Sequence, residues 1–303
     1  MKTAKLIPAT KDYVWGGEKL IRYGVTSKTL PIAEAWALSM NEDGLSEIET
    51  DNGIATLKSV ASPDDFGENC ARFPFFPVLI KLIDSASNLS VQVHPSDEYA
   101  LKNEGQLGKT EMWCILDAEE GSGIYLGFKK DTSKEEVLAK SNDGTIMDLL
   151  NFFPVKKGEV YFVPPGTPHA IGGGVTLLEI QQNSTLTYRL YDYGRLGKDG
   201  KPRELHVEKA LAVLDYRKYA PVRFEKPCLG QCDYFVTEEA RLADEIIGRS
   251  DSFVFACVVE GNATVDGLDA KVGSCFFVPA GQKARVKGDC RAIVVHVPCA
   301  CHR

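Results

Sequence analysis

Nine residues occur twice in this chain with the same skeleton. Residues 158–166 read GEVYFVPPG and residues 273–281 read GSCFFVPAG. Each has Gly, five residues, Pro, one residue and Gly, with Phe-Val before the Pro. A strand that runs into a Pro/Gly turn at the rim of a β-barrel produces this pattern. The copies are 115 residues apart, about one small barrel. The reading is two related β-barrels. Residues 1–220 form the first with its helical segments, and residues 221–303 form the second.

The rest of the chain agrees with a mainly β fold carrying a few short helices. Strand-like runs are Ile32–Leu38, Val78–Ile83, Leu89–His94, Met112–Leu116, Ile124–Phe128, Val160–Val163, Thr176–Ile180, Leu186–Leu190, Phe253–Val259 and Ser274–Val278. Gly, Pro, Asn and Asp punctuate them, as in a sandwich or barrel. Helical signals are fewer. Ser133 with Glu136 reads as a capping box before Lys134–Lys140. Thr145–Asn151 reads as a short helix, Glu204–Tyr216 carries a helical apolar stripe, and another helix is expected between Pro95 and Gly105.

Composition narrows the function classes. Of 303 residues, 44% are hydrophobic and 25% charged, as in an ordinary globular chain. A net charge of −7 with no long basic run argues against nucleic acid or anionic membrane as partner. It leaves an anionic small substrate open, since a site can be locally basic. No signal peptide and no run long enough to span a bilayer are read. Nine cysteines, an odd number and mostly among apolar neighbours, fit reduced thiols in a cytoplasm.

There are five histidines. His94 lies in LSVQVHPSD, where strand periodicity puts Ser90, Gln92 and His94 on one face. His169 follows the first Pro/Gly turn, and Glu111 opens the strand EMWCIL. Two imidazoles, a carboxylate and an amide oxygen make an N/O set suited to Zn²⁺. The repeat supplies an internal control. The counterpart of His169 three residues past the second turn is Ala284, so folding the turn does not require the histidine. A metal-binding first barrel and a metal-free second one follow.

Gly158–x5–Pro164–x–Gly166–x2–His169 resembles the second motif of the cupin superfamily. LSVQVHP (89–95), GKTEMW (108–113), PPGTPHAI (164–171) and TYRLYDYGR (187–195) together resemble the type I mannose-6-phosphate isomerases in their short bacterial form. DYVWGG (12–17), EAWALS (34–39) and RELHVEKAL (203–211) extend the likeness over about residues 5–216. The resemblance implies two cupin-type barrels, one Zn²⁺ per chain on Gln92, His94, Glu111 and His169, and a phosphorylated hexose as substrate. It implies catalytic roles for Arg189, Lys109 and Glu179 and pocket positions for Trp15, Lys81 and Ser90. The reaction implied interconverts mannose-6-phosphate and fructose-6-phosphate by proton transfer through a cis-enediol, with Glu179 or a metal-bound water as the base. One position departs: longer members carry Tyr where this chain has Ile171, and their large helical insertion is missing.

Blander roles compete at several positions. Lys81 and Lys109 could be solvated, Arg189 could cap aromatic rings, and Trp15 could be a packed lid residue. Arg195 and Lys201 read as solvent-facing, Asp192 as an ordinary loop residue, His206 as a helix residue and His296 as a strand residue. Cys228, Cys232 and the tail Cys299, Cys301 and His302 read as incidental. The rival functions are another metal-dependent cupin enzyme, such as an oxygenase, and a catalytically silent sugar-phosphate-binding cupin. Either a monomer or a homodimer fits.

Overall fold

The computed structural model describes residues 1–197 and 199–300. Strands dominate, and they form three sheets. One six-stranded sheet runs in the order Val160–Val163, Glu111–Ala118, Val175–Gln182, Val78–Ser85, Glu34–Leu38, Ala9–Lys11. A five-stranded sheet runs Leu150–Pro154, Gly123–Phe128, His169–Ile171, Val91–Val93, Tyr188–Tyr191. Apolar side chains from both, including Trp113, Ile115, Val163 and Leu177 from the first and Ile124, Leu126 and Ile171 from the second, pack into one core. The inner strands Val78–Ser85 and Val175–Gln182 are buried at every position, so their polar members Lys81 and Glu179 are carried inside among apolar neighbours.

The third sheet has ten strands and draws mainly on residues 228–296. It also takes strands from the N-terminal part. Ala4–Ile7 pairs with Cys275–Val278, with Ala4 opposite Phe277, and then with Glu47–Thr50. Between this sheet and the six-stranded one lies an aromatic core with Phe76, Phe235, Phe253, Phe255 and Phe277. Chain order and sheet membership therefore differ, because strand pairing joins residues far apart in sequence.

The repeated turn is the same structure twice. Gly158 and Gly273 have φ of 89° and 88°, and Gly166 and Gly281 have 82° and 76°. That left-handed region costs an L side chain energy and glycine almost nothing. The hydrogen bonds match as well. Gly158 N donates to Ile115 O at 2.8 Å and Gly273 N to Val258 O at 2.8 Å. Thr167 N donates to Pro164 O at 3.3 Å and Gln282 N to Pro279 O at 3.1 Å.

Helices form near the expected places, with Lys134–Asn142 running two residues past the expected end and the others shorter. Asp97–Glu104 is capped by Ser96 and closed by left-handed Gly105, and Val207–Val213 replaces the longer expected span. Lys134–Asn142 begins at Ser133, whose Oγ accepts from Glu136 N at 3.2 Å. The Glu136 carboxylate instead accepts from Thr132 Oγ1 at 2.7 Å, so only half of the capping box forms. The expected Thr145–Asn151 helix shrinks to one 3-10 turn, Ile146–Leu149. Leu150–Pro154 continues as an edge strand, and Asn151 Nδ2 binds the carbonyls of Leu126, Gly127 and Phe128 at 3.1 Å each. Among the described residues, no helix is long and apolar enough to cross a membrane.

Candidate metal centre and active site

Three side chains converge between the two smaller sheets. His94 follows the Val91–Val93 strand, His169 opens His169–Ile171, and Glu111 opens Glu111–Ala118. All three are buried, and their ligating atoms lie within 4.8 Å of one another. His94 Nε2 is 3.4 Å from Glu111 Oε2, and His169 Nε2 is 3.3 Å from Glu111 Oε1.

The outward ring nitrogens fix the tautomers. His94 Nδ1 is 2.8 Å from Leu186 O, and His169 Nδ1 is 2.9 Å from Thr167 O. A carbonyl only accepts, so each Nδ1 carries the proton and each Nε2 offers a lone pair to the centre. Burial pushes the His94 pKa down to about 3, with the Lys109 charge adding to it, and burial also lowers His169. Both rings are therefore neutral ligands. His94 Nε2 and Glu111 Oε1 are buried without a hydrogen-bond donor, and Glu111 Oε2 meets only the Lys109 ammonium at 2.8 Å. Leaving such atoms unpaired costs about 1–3 kcal/mol each, more for a charge, so the donor set fits a cation. Burial alone would raise the Glu111 carboxyl, but the Lys109 ammonium beside it opposes this, and the group is held well below its usual range. Gln92 completes the group, its amide nitrogen 3.3 Å from His169 Nε2. A half-turn of the amide presents the oxygen to the same point.

A cavity of about 510 Å³ leads away from this cluster, within the usual range for small-molecule sites. Trp15, Lys81, Ser90, Gln92, Lys109, Glu179 and Arg189 all line it. Lys81 and Lys109 are buried rather than solvated. Lys109 Nζ lies 2.8 Å from Glu111 Oε2 and 3.7 Å from Glu179 Oε1. Lys81 Nζ lies 3.5 Å from Glu179 Oε1 and 3.4 Å from Glu34 Oε2. Burial works against the Lys81 charge, but Glu34, Glu179 and Glu111 outweigh it and raise its pKa. Glu179 is raised by its own burial, with Lys109 opposing, and its Oε2 accepts from Trp113 Nε1 at 3.1 Å. Cross-strand pairing puts Trp36, Lys81, Glu179 and Trp113 in one row of the six-stranded sheet. Arg189 pairs opposite Gln92 and donates from Nη1 to Glu204 O at 2.8 Å, while its buried Nε has no partner.

Chain-level reading missed part of the wall. Lys11, Tyr13, Glu34, Trp36 and Arg203 also line the cavity. Glu34 and Trp36 share a face at period two, and Trp36 Nε1 donates to Glu34 Oε2 at 2.6 Å, so strand alternation was the available signal. Asp192 is a correction: it is buried and binds both Arg195 and Arg203. Arg195 is likewise half-buried rather than solvent-facing, because Asp192 draws it in. Lys201 is exposed, as expected. Cys301 and His302 lie outside the described residues. Among the described residues, the second repeat gathers no comparable metal-ligating group.

Residues 3–141 match the family model for the catalytic domain of type I phosphomannose isomerase. The chain is 34% identical over 309 residues to mannose-6-phosphate isomerase ManA of Bacillus subtilis, covering 96% of this chain and 97% of that one. The chain belongs to the type I mannose-6-phosphate isomerase family. A crystal structure of the mannose 6-phosphate isomerase from Bacillus subtilis superposes with a TM-score of 0.85 at 33% identity, covering 98% of this chain and all (100%) of that one. A zinc-bound mannose 6-phosphate isomerase shares the fold at a TM-score of 0.77 and 20% identity, covering 98% of this chain and 100% of that one.

Proposed function

We propose that this isomerase interconverts mannose-6-phosphate and fructose-6-phosphate through a cis-enediol, using one Zn²⁺ per chain. The observation that carries the reading is the buried His94–Glu111–His169 cluster with unpartnered ligand atoms, set against a cavity walled by Lys81, Lys109 and Arg189. Gln92, His94, Glu111 and His169 would hold the ion, and neutral imidazoles with a carboxylate and an amide oxygen suit zinc. Bound there, a divalent ion supplies Lewis-acid polarisation of the substrate's carbonyl and hydroxyl oxygens.

The chain's own groups do the rest. The reaction removes a proton from C2 of the open aldose and delivers one to C1, with no net change in protons. Glu179 is our candidate for the group that carries it, because burial raises its affinity for a proton while Trp113 fixes its orientation. Lys109 and Arg189 face the oxygens on which negative charge develops. Trp15, Ser90 and Lys81 shape and hold the sugar. We divide the chain by role into a catalytic unit within 1–220 and a metal-free unit within 221–303, the latter completed by N-terminal strands. We place the enzyme in the cytoplasm because Cys70, Cys114, Cys257, Cys275 and Cys290 are buried free thiols.

A coupled assay for mannose-6-phosphate turnover, run with elemental analysis of protein purified without added metal, tests the reading. Turnover with about one zinc per chain supports it. A metal-loaded enzyme that fails to interconvert the two sugars overturns it.

A further inference from the structure

Arginine side chains converge on one buried carboxylate beside the cavity. Asp192 is buried there and receives two arginines. Arg203 Nε lies 2.7 Å from Oδ2 and Arg203 Nη2 lies 2.6 Å from Oδ1. Arg195 Nη2 lies 2.8 Å from Oδ1 and turns its other nitrogen to Ser87 Oγ at 3.3 Å. Arg189 stands close enough to Arg203 for their charges to repel. Two guanidinium groups therefore share one buried carboxylate, with a third, Arg189, close by and also facing Glu204. Arg189 and Arg203 line the cavity.

Arg203 is built as a preset donor. Its Nε and Nη2 are spent on Asp192 in a two-point fork, while Nη1 makes no hydrogen bond among the described residues. The fork holds a long side chain in one geometry before any ligand arrives, which lowers the ordering cost of binding. Its place is nearer the rim: the Arg203 side chain is 25% exposed, whereas those of Lys81, Lys109 and Glu179 are 9%, 5% and 5% exposed.

We infer that Arg203, positioned by Asp192, anchors the phosphate of the substrate and selects phosphorylated sugars over neutral ones. The inference rests on the isomerase reading above. Arg203 contacts the phosphate far from the reacting carbons, and Asp192 acts through Arg203.

The test is steady-state kinetics on mannose-6-phosphate, with inorganic phosphate as a competing probe, for wild type, Arg203→Gln and Asp192→Asn. For Arg203→Gln, we expect KM and the inhibition constant for phosphate both to rise by roughly tenfold or more, as loss of a charge-assisted hydrogen bond does. Its kcat stays within a few-fold, and its metal content is unchanged. Asp192→Asn shifts the same two constants in the same direction by less. A fall in kcat without a change in KM, or an unchanged phosphate inhibition constant in Arg203→Gln, overturns the assignment. If Asp192→Asn does not fold, Arg203→Gln decides alone. A wild type without isomerase activity would sink the functional reading itself, which is a different outcome from an active wild type whose variants are unaltered.

Discussion

Glu111 and Val254 hold the same place in the two repeats. Glu111 pairs with Val163 in the strand before the first Pro/Gly turn, and Val254 pairs with Val278 at the matching point before the second. His169 and Ala284 correspond in the same way, each opening the strand after its turn. Val254 and Ala284 sit with Val278 and Phe276 in a closed apolar cluster. The second repeat thus keeps the scaffold and fills the metal position with hydrocarbon. We expect about one equivalent of metal per chain, all of it bound through the first repeat. Elemental analysis of His94→Ala and His169→Ala should show near-complete loss, and Ala284→His should gain none, since Val254 offers no ligand beside it. Metal content unchanged in both histidine variants would remove the assignment.

Metal removal should also destabilise the fold. Without a metal ion, Glu111 is a buried carboxylate whose Oε1 faces two imidazole lone pairs and whose Oε2 has only Lys109 to meet it. A ligand bound only to the native state stabilises by mass action, so chelation should lower Tm and readdition of zinc should restore it. Calorimetry with and without chelator reads this directly, and an unchanged Tm would mean that no tightly bound ion is present.

Glu179 and Trp113 form a second testable pair. General acid–base groups contribute about 10²–10⁴-fold, so Glu179→Gln should lose at least 10²-fold in kcat while keeping its metal. Trp113→Phe removes the 3.1 Å bond to Glu179 Oε2 and keeps the packing, so its loss should be smaller and also in kcat. Trp113 packs edge-on to His169 at 5.5 Å between ring centroids, so metal content must be checked in the same preparation. Full activity in Glu179→Gln would assign the proton to another group.

How much of this was legible in the chain depends on the range of the interaction. The repeat and the Val160–Val163 strand were readable because they rest on local spacing and strand alternation, whereas the grouping of His94, Glu111 and His169 came from the family resemblance, since these residues are distant in sequence. The Ala4–Ile7 strand was not, since it is stabilised by pairing with Cys275–Val278 more than two hundred residues away, and Glu47–Thr50 joins that sheet only by pairing with Ala4–Ile7. Asp192 misled for a similar reason. It sits among Tyr193, Gly194 and Gly197, a composition that reads as a solvated loop, and only the fold brings Arg203 back to bury it. The Thr145–Asn151 segment was ambiguous because one helical turn and an edge strand share its apolar residues.

His296 gives a pH prediction outside the site. Burial pushes its pKa down to about 4, with the Arg249 charge adding and Asp251 opposing. The unfolded chain protonates this group near 6.5, so between about 6.5 and 4 the unfolded state binds more protons. Stability from His296 is therefore fully present above pH 6.5 and is lost as pH falls toward 4, up to about 3 kcal/mol. In the zinc-loaded enzyme, His296→Gln should flatten the loss of Tm between pH 6.5 and 4 relative to wild type. Parallel Tm curves would show that His296 is protonated without penalty.

Arg189 separates stabilisation of developing charge from simple binding. It pairs opposite Gln92, so its strand position lies beside the ligand group, while its charge also meets that of Arg203. Its Nη1 is tied to Glu204 O at 2.8 Å, which aims the guanidinium, and its Nε is buried without a partner. Negative charge on the substrate oxygens grows only as the enediol forms. A cation that meets that charge strengthens its contact in the transition state and lowers kcat when removed. Arg189→Ala should keep its metal and lose about 10²-fold or more in kcat, as removal of a preorganised oxyanion partner does. Arg189→Lys should recover little, because an ammonium does not match the planar fork held by Glu204 O. The contrast with Arg203→Gln is the decisive comparison: one variant should change kcat and the other KM. If Arg189→Ala raises KM alone, both arginines bind the phosphate, and the charge stabilisation has to come from Lys109 and the metal.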